Sequence, residues 1–193
     1  MEERRIRVFV SATSDLEPER EVVGETLARF PAPLPWEIKR TSHPGEQYPG
    51  QLEDVRRADL FLVLLGQDIT APVGAEVETA ASSGLGILAL AKETSRTPAG
   101  QFFRHTSDIQ WLKFTGPADL REVLLERMVN RLLTPPLAYR LLPEELAILD
   151  RYLREQEEQR KAKEEPILVD GRRTGGAEDG AIIVAPSRKG RRS

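Results

Sequence analysis

The sequence predicts an α/β domain built on a doubly wound, flavodoxin-like parallel sheet of five strands in the order 2-1-3-4-5, with helices on both faces. Two observations carry that expectation. Short apolar runs alternate with segments whose apolar residues recur at helical spacing along roughly the first 133 residues, and such alternation implies a parallel sheet covered on both sides. One run, ADLFLVLLG, is continuously apolar and closed by Gly, as a central strand buried on both faces must be. With right-handed crossovers and five strands, 2-1-3-4-5 is the first choice of order.

Taken in order, residues 6–10 form the first strand, with two valines favouring extended backbone. Asp15 is placed to cap the next helix, which leaves Pro18 in its first turn, where a missing N–H costs nothing. Leu16, Val23, Leu27 and Phe30 then share one stripe, and the PAPLP segment at 31–35 ends the helix. Residues 36–40 read as the second strand. A polar loop, TSHPGEQYPG, leads to a short helix over 51–57, and ADLFLVLLG is the third strand. After the loop QDITAPVG the pattern predicts a helix over 75–83, a strand over 86–91, a strand over 109–114 and a long amphipathic helix over 117–133. Residues 92–108 are long for a connection and read as a lid or docking loop in which Phe102 and Phe103 anchor against the core.

From about Pro143 a helical segment with Leu146, Leu149 and Leu153 on one side becomes almost wholly charged, so residues 136–165 are expected to extend the 1–135 domain as a helix that begins packed and ends solvated. The remainder, 166–193, is rich in Gly and Arg with apolar pieces too small to form a core, and is expected to stay a flexible tail.

Composition limits the function. Among 193 residues, 39% are hydrophobic and 31% charged, and the net charge of -3 supplies no field that would gather nucleic acid or an acidic membrane surface. Only the terminal SRKGRRS offers a weak nucleic-acid contact, and a solvated basic terminus is the plainer account of it. The lack of cysteine excludes thiol catalysis and cysteine-ligated zinc. His43 and His105 stand without a ligand set, so no metal site is expected, and both are assigned to loops. No leader or membrane span is legible, and a cytoplasmic protein is expected. GLG at 84–86 precedes a strand instead of following one, which removes it as a dinucleotide fingerprint.

The chemistry is expected where the winding of the sheet reverses, beyond the carboxyl ends of strands one and three. SATSD leaves strand one there, and GQDITAPVG leaves strand three beside it. On the helix that follows, Val77, Ala80, Ala81 and Gly84 gather on one face, with Glu76 and Glu78 flanking it on opposite sides and neither buried. Glu76 is expected in the first turn, favoured by the helix dipole. Two readings stay open: a carboxylate that orients a ribose hydroxyl or attacks an anomeric carbon, or two acidic residues that merely stabilise the start of a helix.

VFVSATSDLEPER resembles the opening motif of the domain-of-unknown-function family numbered 4062, in which a strand ends in Ser-Ser-Thr and a helix start of the form Asp-Leu-x-x-Glu-Arg follows. RRADLFLVLLG resembles that family's third strand, and VGAEVETAASSGLGILAL its Glu-containing helix and next strand, so the likeness spans residues 6–133. The family is related to Toll/interleukin-receptor-like (TIR-like) domains and, more remotely, to nucleoside 2-deoxyribosyltransferases. The resemblance implies a TIR-like sheet with a nucleotide or NAD pocket, no other cofactor being indicated. In it, Glu76 matches the carboxylate that works at the ribose in the catalytic relatives, and Glu78 is the alternative register. Ser11, Thr13 and Asp15 on one lip of the crevice, with Gly66 and Asp68 on the other, are the expected ligand-binding positions, and Asp59 would start the central strand. Ala12 stands where the family has a second Ser, Asp15 follows Thr13 more closely than in the motif, and the loop after Gly66 lacks an aromatic-Gly pair. These departures favour a signalling or interaction module, assembling with itself or with a separate signalling protein, over the alternative of an enzyme cleaving the N-glycosidic bond of NAD or a nucleoside.

Overall fold

A computed structural model describes residues 4–43, 46, 49–134 and 139–164. Its centre is β3 (Leu60–Leu65), whose six side chains are all buried because the strand is covered on both faces. Around it lie β1 (Ile6–Ala12), β2 (Trp36–Arg40), β4 (Ile87–Lys92) and β5 (Trp111–Phe114), every pairing parallel and the order β2-β1-β3-β4-β5. The predicted fold class and strand order are therefore those observed.

Side chains of period two divide the core. Val8, Val10, Leu60, Leu62, Leu64 and Leu90 face one layer, made by α1 (Glu17–Ala28), α5 (Pro117–Leu133) and α6 (Pro143–Glu164). Phe9, Phe61, Val63 and Ala89 face the other, made by α2 (Gln51–Arg56), α3 (Ala71–Ser82) and α4 (Pro98–Thr106). Phe9 and Phe61 stack there with ring centroids 5.9 Å apart. The stripe expected on α1 is real: Leu16, Val23, Leu27 and Phe30 are all buried.

Several boundaries differ from expectation, each for a local reason. β1 runs two residues further, to Ala12, because Ser11 and Ala12 pair with Val63 and Leu64. Asp15 does not cap α1; it lies in a 3-10 turn (Ser14–Leu16), and Leu16 occupies the α1 N-cap position without a side-chain cap. α3 starts at Ala71, four residues early, since Pro72 fits a first turn as well as a loop. Glu76 therefore lies in the second turn, and the buried face rotates to Val73, Glu76, Val77, Thr79 and Ala80, leaving Ala81 and Gly84 exposed. α3 ends in a Schellman arrangement, with Gly84 at φ +68°, Leu85 N–H on Ala80 O at 3.0 Å and Gly84 N–H on Ala81 O at 3.0 Å.

The segment read as a loop over 92–108 contains α4. Thr97 caps it, its side chain accepting the Gly100 N–H at 3.1 Å, with Pro98 opening the helix. Phe103 packs edge-on against Trp111, but Phe102 is 69% exposed and anchors nothing. His105 is exposed on the last turn of α4, not in a loop, whereas His43 lies in the connection after β2. α6 packs through Leu149, fully buried in the same cluster as β1 and α5. The tail beyond 164 lies outside the described residues, and among those described no helix is long and apolar enough to cross a membrane.

Candidate functional site

Ser11 is the last residue of β1 but one, and its side chain points to the α3 layer because it follows Phe9 at strand period. It meets Glu76, which the longer α3 turns inward to 0% exposure. Glu76 Oε2 accepts from Ser11 Oγ at 2.5 Å and from Thr41 Oγ1 at 2.7 Å, and Oε1 accepts from Gln51 Nε2. Thr41 stands just beyond β2 and also accepts the Ala12 N–H at 3.2 Å, tying the carboxyl ends of β1 and β2 together. Gln51 is the first residue of α2. Ser11, Thr41 and Gln51 are all buried, so the carboxylate sees few polar groups besides these three donors.

Burial raises the Glu76 pKa above the ordinary glutamate range; the hydroxyls of Ser11 and Thr41, the Gln51 amide and the charge of Arg20 pull the other way. Arg20 is itself buried beneath the first turn of α1, donating to Ala12 O and pairing with Glu17 at 2.9 Å. Its Nε, like Gln51 Oε1, is a buried polar atom without a partner among the described residues. Such atoms are few in folded proteins.

Of the residues expected at the crevice, Glu76 and Ser11 come together. Thr13 is buried but donates to Asp15, not to Glu76. Asp15 reaches across the switch point: its Oδ2 accepts the Gln67 N–H at 3.3 Å, and any side chain on Gly66 would run into that carboxylate. Asp15 and Gly66 thus fasten the two lips together. Asp68 turns away to α4, accepting from Thr97 Oγ1 at 2.6 Å and from the Ile69 N–H at 2.8 Å, and these bonds hold its pKa below the ordinary value. Glu78 is exposed on the far side of α3, and Asp59 sits at the amino end of β3, accepting the Arg7 N–H at 2.8 Å. Sequence reasoning missed Thr41 and Gln51. The available signal was that Thr41 ends the second strand and Gln51 starts the next helix, two polar residues delivered to the same switch point. No group of three metal-ligating side chains occurs among the described residues.

No family model and no curated protein matches the sequence. Among solved structures, the chain is similar to the CMP N-glycosidase of Clostridium botulinum, at 18% identity and a TM-score of 0.44, over 61% of this chain and 97% of that one.

Proposed function

We propose that the crevice at the carboxyl ends of β1 and β3 receives a nucleoside or nucleotide and that Glu76 acts on its sugar, so that the domain cleaves or transfers an N-glycosidic bond. The supporting observation is one carboxylate, wholly buried and held by three donors, at the switch point where sheets of this type bind ligands. An ionisable group in that position costs stability that an apolar residue of similar size would not, and such costs are typical of functional sites. Gln51 Oε1, buried with no donor among the described residues, becomes an acceptor for a sugar hydroxyl once the ligand parts the side chains that cover Glu76.

In this reading a Glu76 oxygen forms a bond to the anomeric carbon as the carbon–nitrogen bond breaks, and the base leaves with that electron pair and takes a proton from water. Water, or a second base, then breaks the glycosyl ester and restores the carboxylate. One of the two hydroxyls on Oε2 must first turn away, which makes Ser11 and Thr41 positioning residues.

The test is release of free base from NAD, deoxynucleosides and nucleoside monophosphates. Glu76→Gln is expected to lower it by about a hundredfold or more while keeping a native melting transition. Glu78→Gln is expected to match the wild type. No release from any of the three substrate classes by wild-type protein would reject the reading.

A second reading, an interaction module that assembles with itself or a partner in signalling, is favoured by Phe102, a large apolar side chain 69% exposed on α4. Concentration-dependent assembly in sedimentation, abolished by Phe102→Ser and untouched by Glu76→Gln, would select it.

A further inference from the structure

A polar cavity, of about 210 Å³, opens at the carboxyl ends of β4 and β5 on the α4 side of the sheet, lined by Ala91, Lys92, Glu93, Thr94, Arg96, Arg104 and Lys113. Four of those seven residues carry positive charge. Lys92 is engaged elsewhere, its Nζ lying 2.6 Å from the buried Glu19, and Lys113 approaches Glu93 at 3.4 Å. Arg96 and Arg104 have no carboxylate at ion-pairing distance among the described residues, yet they are close enough for each charge to oppose the other. Burial, with Arg104 adding to it, lowers the Arg96 pKa against the pull of Glu93, although a guanidinium stays charged throughout the accessible range.

The Arg96 guanidinium is fixed, not free. It donates to Lys92 O and, at 3.4 Å, to Thr94 O, while its Nε is buried and unpartnered. A fold gains nothing from setting one positive charge near another, with a donor of the first desolvated and unpartnered, unless something else compensates. The cavity has room for about seven waters at liquid density, enough for a tetrahedral oxyanion with part of its shell. A planar guanidinium fixed as that of Arg96 is suits such an anion better than an ammonium group does.

We infer that this cavity is a binding site for a phosphate group, with Arg96 and Arg104 as its principal donors and Lys113 at its mouth. The site stands independently of the Glu76 reading: β3 separates β1, which carries Ser11, from β4 and β5, at whose carboxyl ends the cavity opens. Free phosphate and the phosphate of a small phosphomonoester share this chemistry.

The experiment is a titration of the full chain with inorganic phosphate, and with glycerol phosphate against glycerol, at constant ionic strength in chloride, read by calorimetry and by the melting temperature. Phosphate is expected to bind and to raise the melting temperature where chloride does not. Glycerol phosphate binding tighter than phosphate, with glycerol inert, assigns the source as a phosphomonoester; equal or weaker affinity assigns free phosphate. Arg104→Gln is expected to weaken binding about tenfold or more and, without phosphate, to melt no lower than the wild type, because a repulsion on Arg96 has gone. Lys113→Gln, on a side chain 63% exposed, gives a second variant whose folding is not in question and a smaller loss. Phosphate acting no differently from chloride, or both variants binding it as the wild type does, would overturn the inference.

Discussion

Glu76 shows how one side chain can be misplaced by a correct method. A helical wheel drawn from residue 75 puts it beside the apolar face, whereas the same wheel begun at Ala71 centres that face between Val73, Val77 and Ala80 and carries Glu76 in with them. The spacing was legible but the starting residue was not, because Thr70, Ala71 and Pro72 serve a loop and a helix start equally well. Once inside, the carboxylate depends on its donors, and their order of importance follows from what each leaves behind. Thr41→Val strips a donor from Oε2 and also the acceptor of the Ala12 N–H, while Ser11→Ala strips only a donor. In urea denaturation at neutral pH both are expected to lose about 1–3 kcal/mol, Thr41→Val the more, since a buried group left unpaired costs its desolvation. Glu78→Gln, on the exposed side of α3, is expected to change stability by no more than about 0.5 kcal/mol. Equal behaviour of Ser11→Ala and Glu78→Gln would show that the Ser11–Glu76 bond contributes nothing.

At the scale of elements, the strands were readable and α4 was not, and the difference has a physical basis. β3 announces itself by six consecutive apolar residues, which nothing but a doubly covered strand requires. α4 has only nine residues, includes Gly100, and sends just one of its two phenylalanines to the core, so its apolar residues are too few to trace a buried stripe. Its start was nevertheless written in the chain as Thr97-Pro98, an N-cap followed by a first-turn proline. The cap also secures the loop after β3: Thr97 donates to Asp68 through its hydroxyl and to Gln67 O, at 2.9 Å, through its amide. Gly100 must lack a side chain, because a Cβ would lie 2.7 Å from Gln67 O, against backbone that cannot give. Thr97→Ala is therefore expected to cost about 1 kcal/mol, and Gly100→Ala to cost more, despite the better helix propensity of Ala, as the loop is forced off the helix. Thermal melts that rank Gly100→Ala above the wild type would refute the close approach.

For the whole molecule, two buried carboxylates give stability opposite slopes with pH. Glu145, the third residue of α6, accepts the Leu142 N–H at 2.7 Å, half of a capping box, and is clasped by Arg4 through bonds of 2.5 and 2.7 Å that join the segment before β1 to α6. Those partners, Arg4 first, hold its pKa below the ordinary value in spite of burial. Its contribution is present above the ordinary carboxylate range and is lost as pH falls through the depressed value. Glu76 runs the other way. With a folded pKa raised chiefly by desolvation, it favours the folded state below the ordinary glutamate range, and that contribution disappears as pH rises through the raised value. Arg4→Gln is thus expected to destabilise by about 1–3 kcal/mol near neutrality, where it strands a buried carboxylate, and by progressively less as the pH drops toward 3. Glu76→Gln removes the alkaline penalty, so its stability relative to the wild type is expected to climb as pH rises from 4 to 8. Urea midpoints of the three proteins across that range decide the matter: parallel curves would mean that neither carboxylate titrates differently in the folded and unfolded chains, and the desolvation of Glu76 on which its chemistry rests would then be absent.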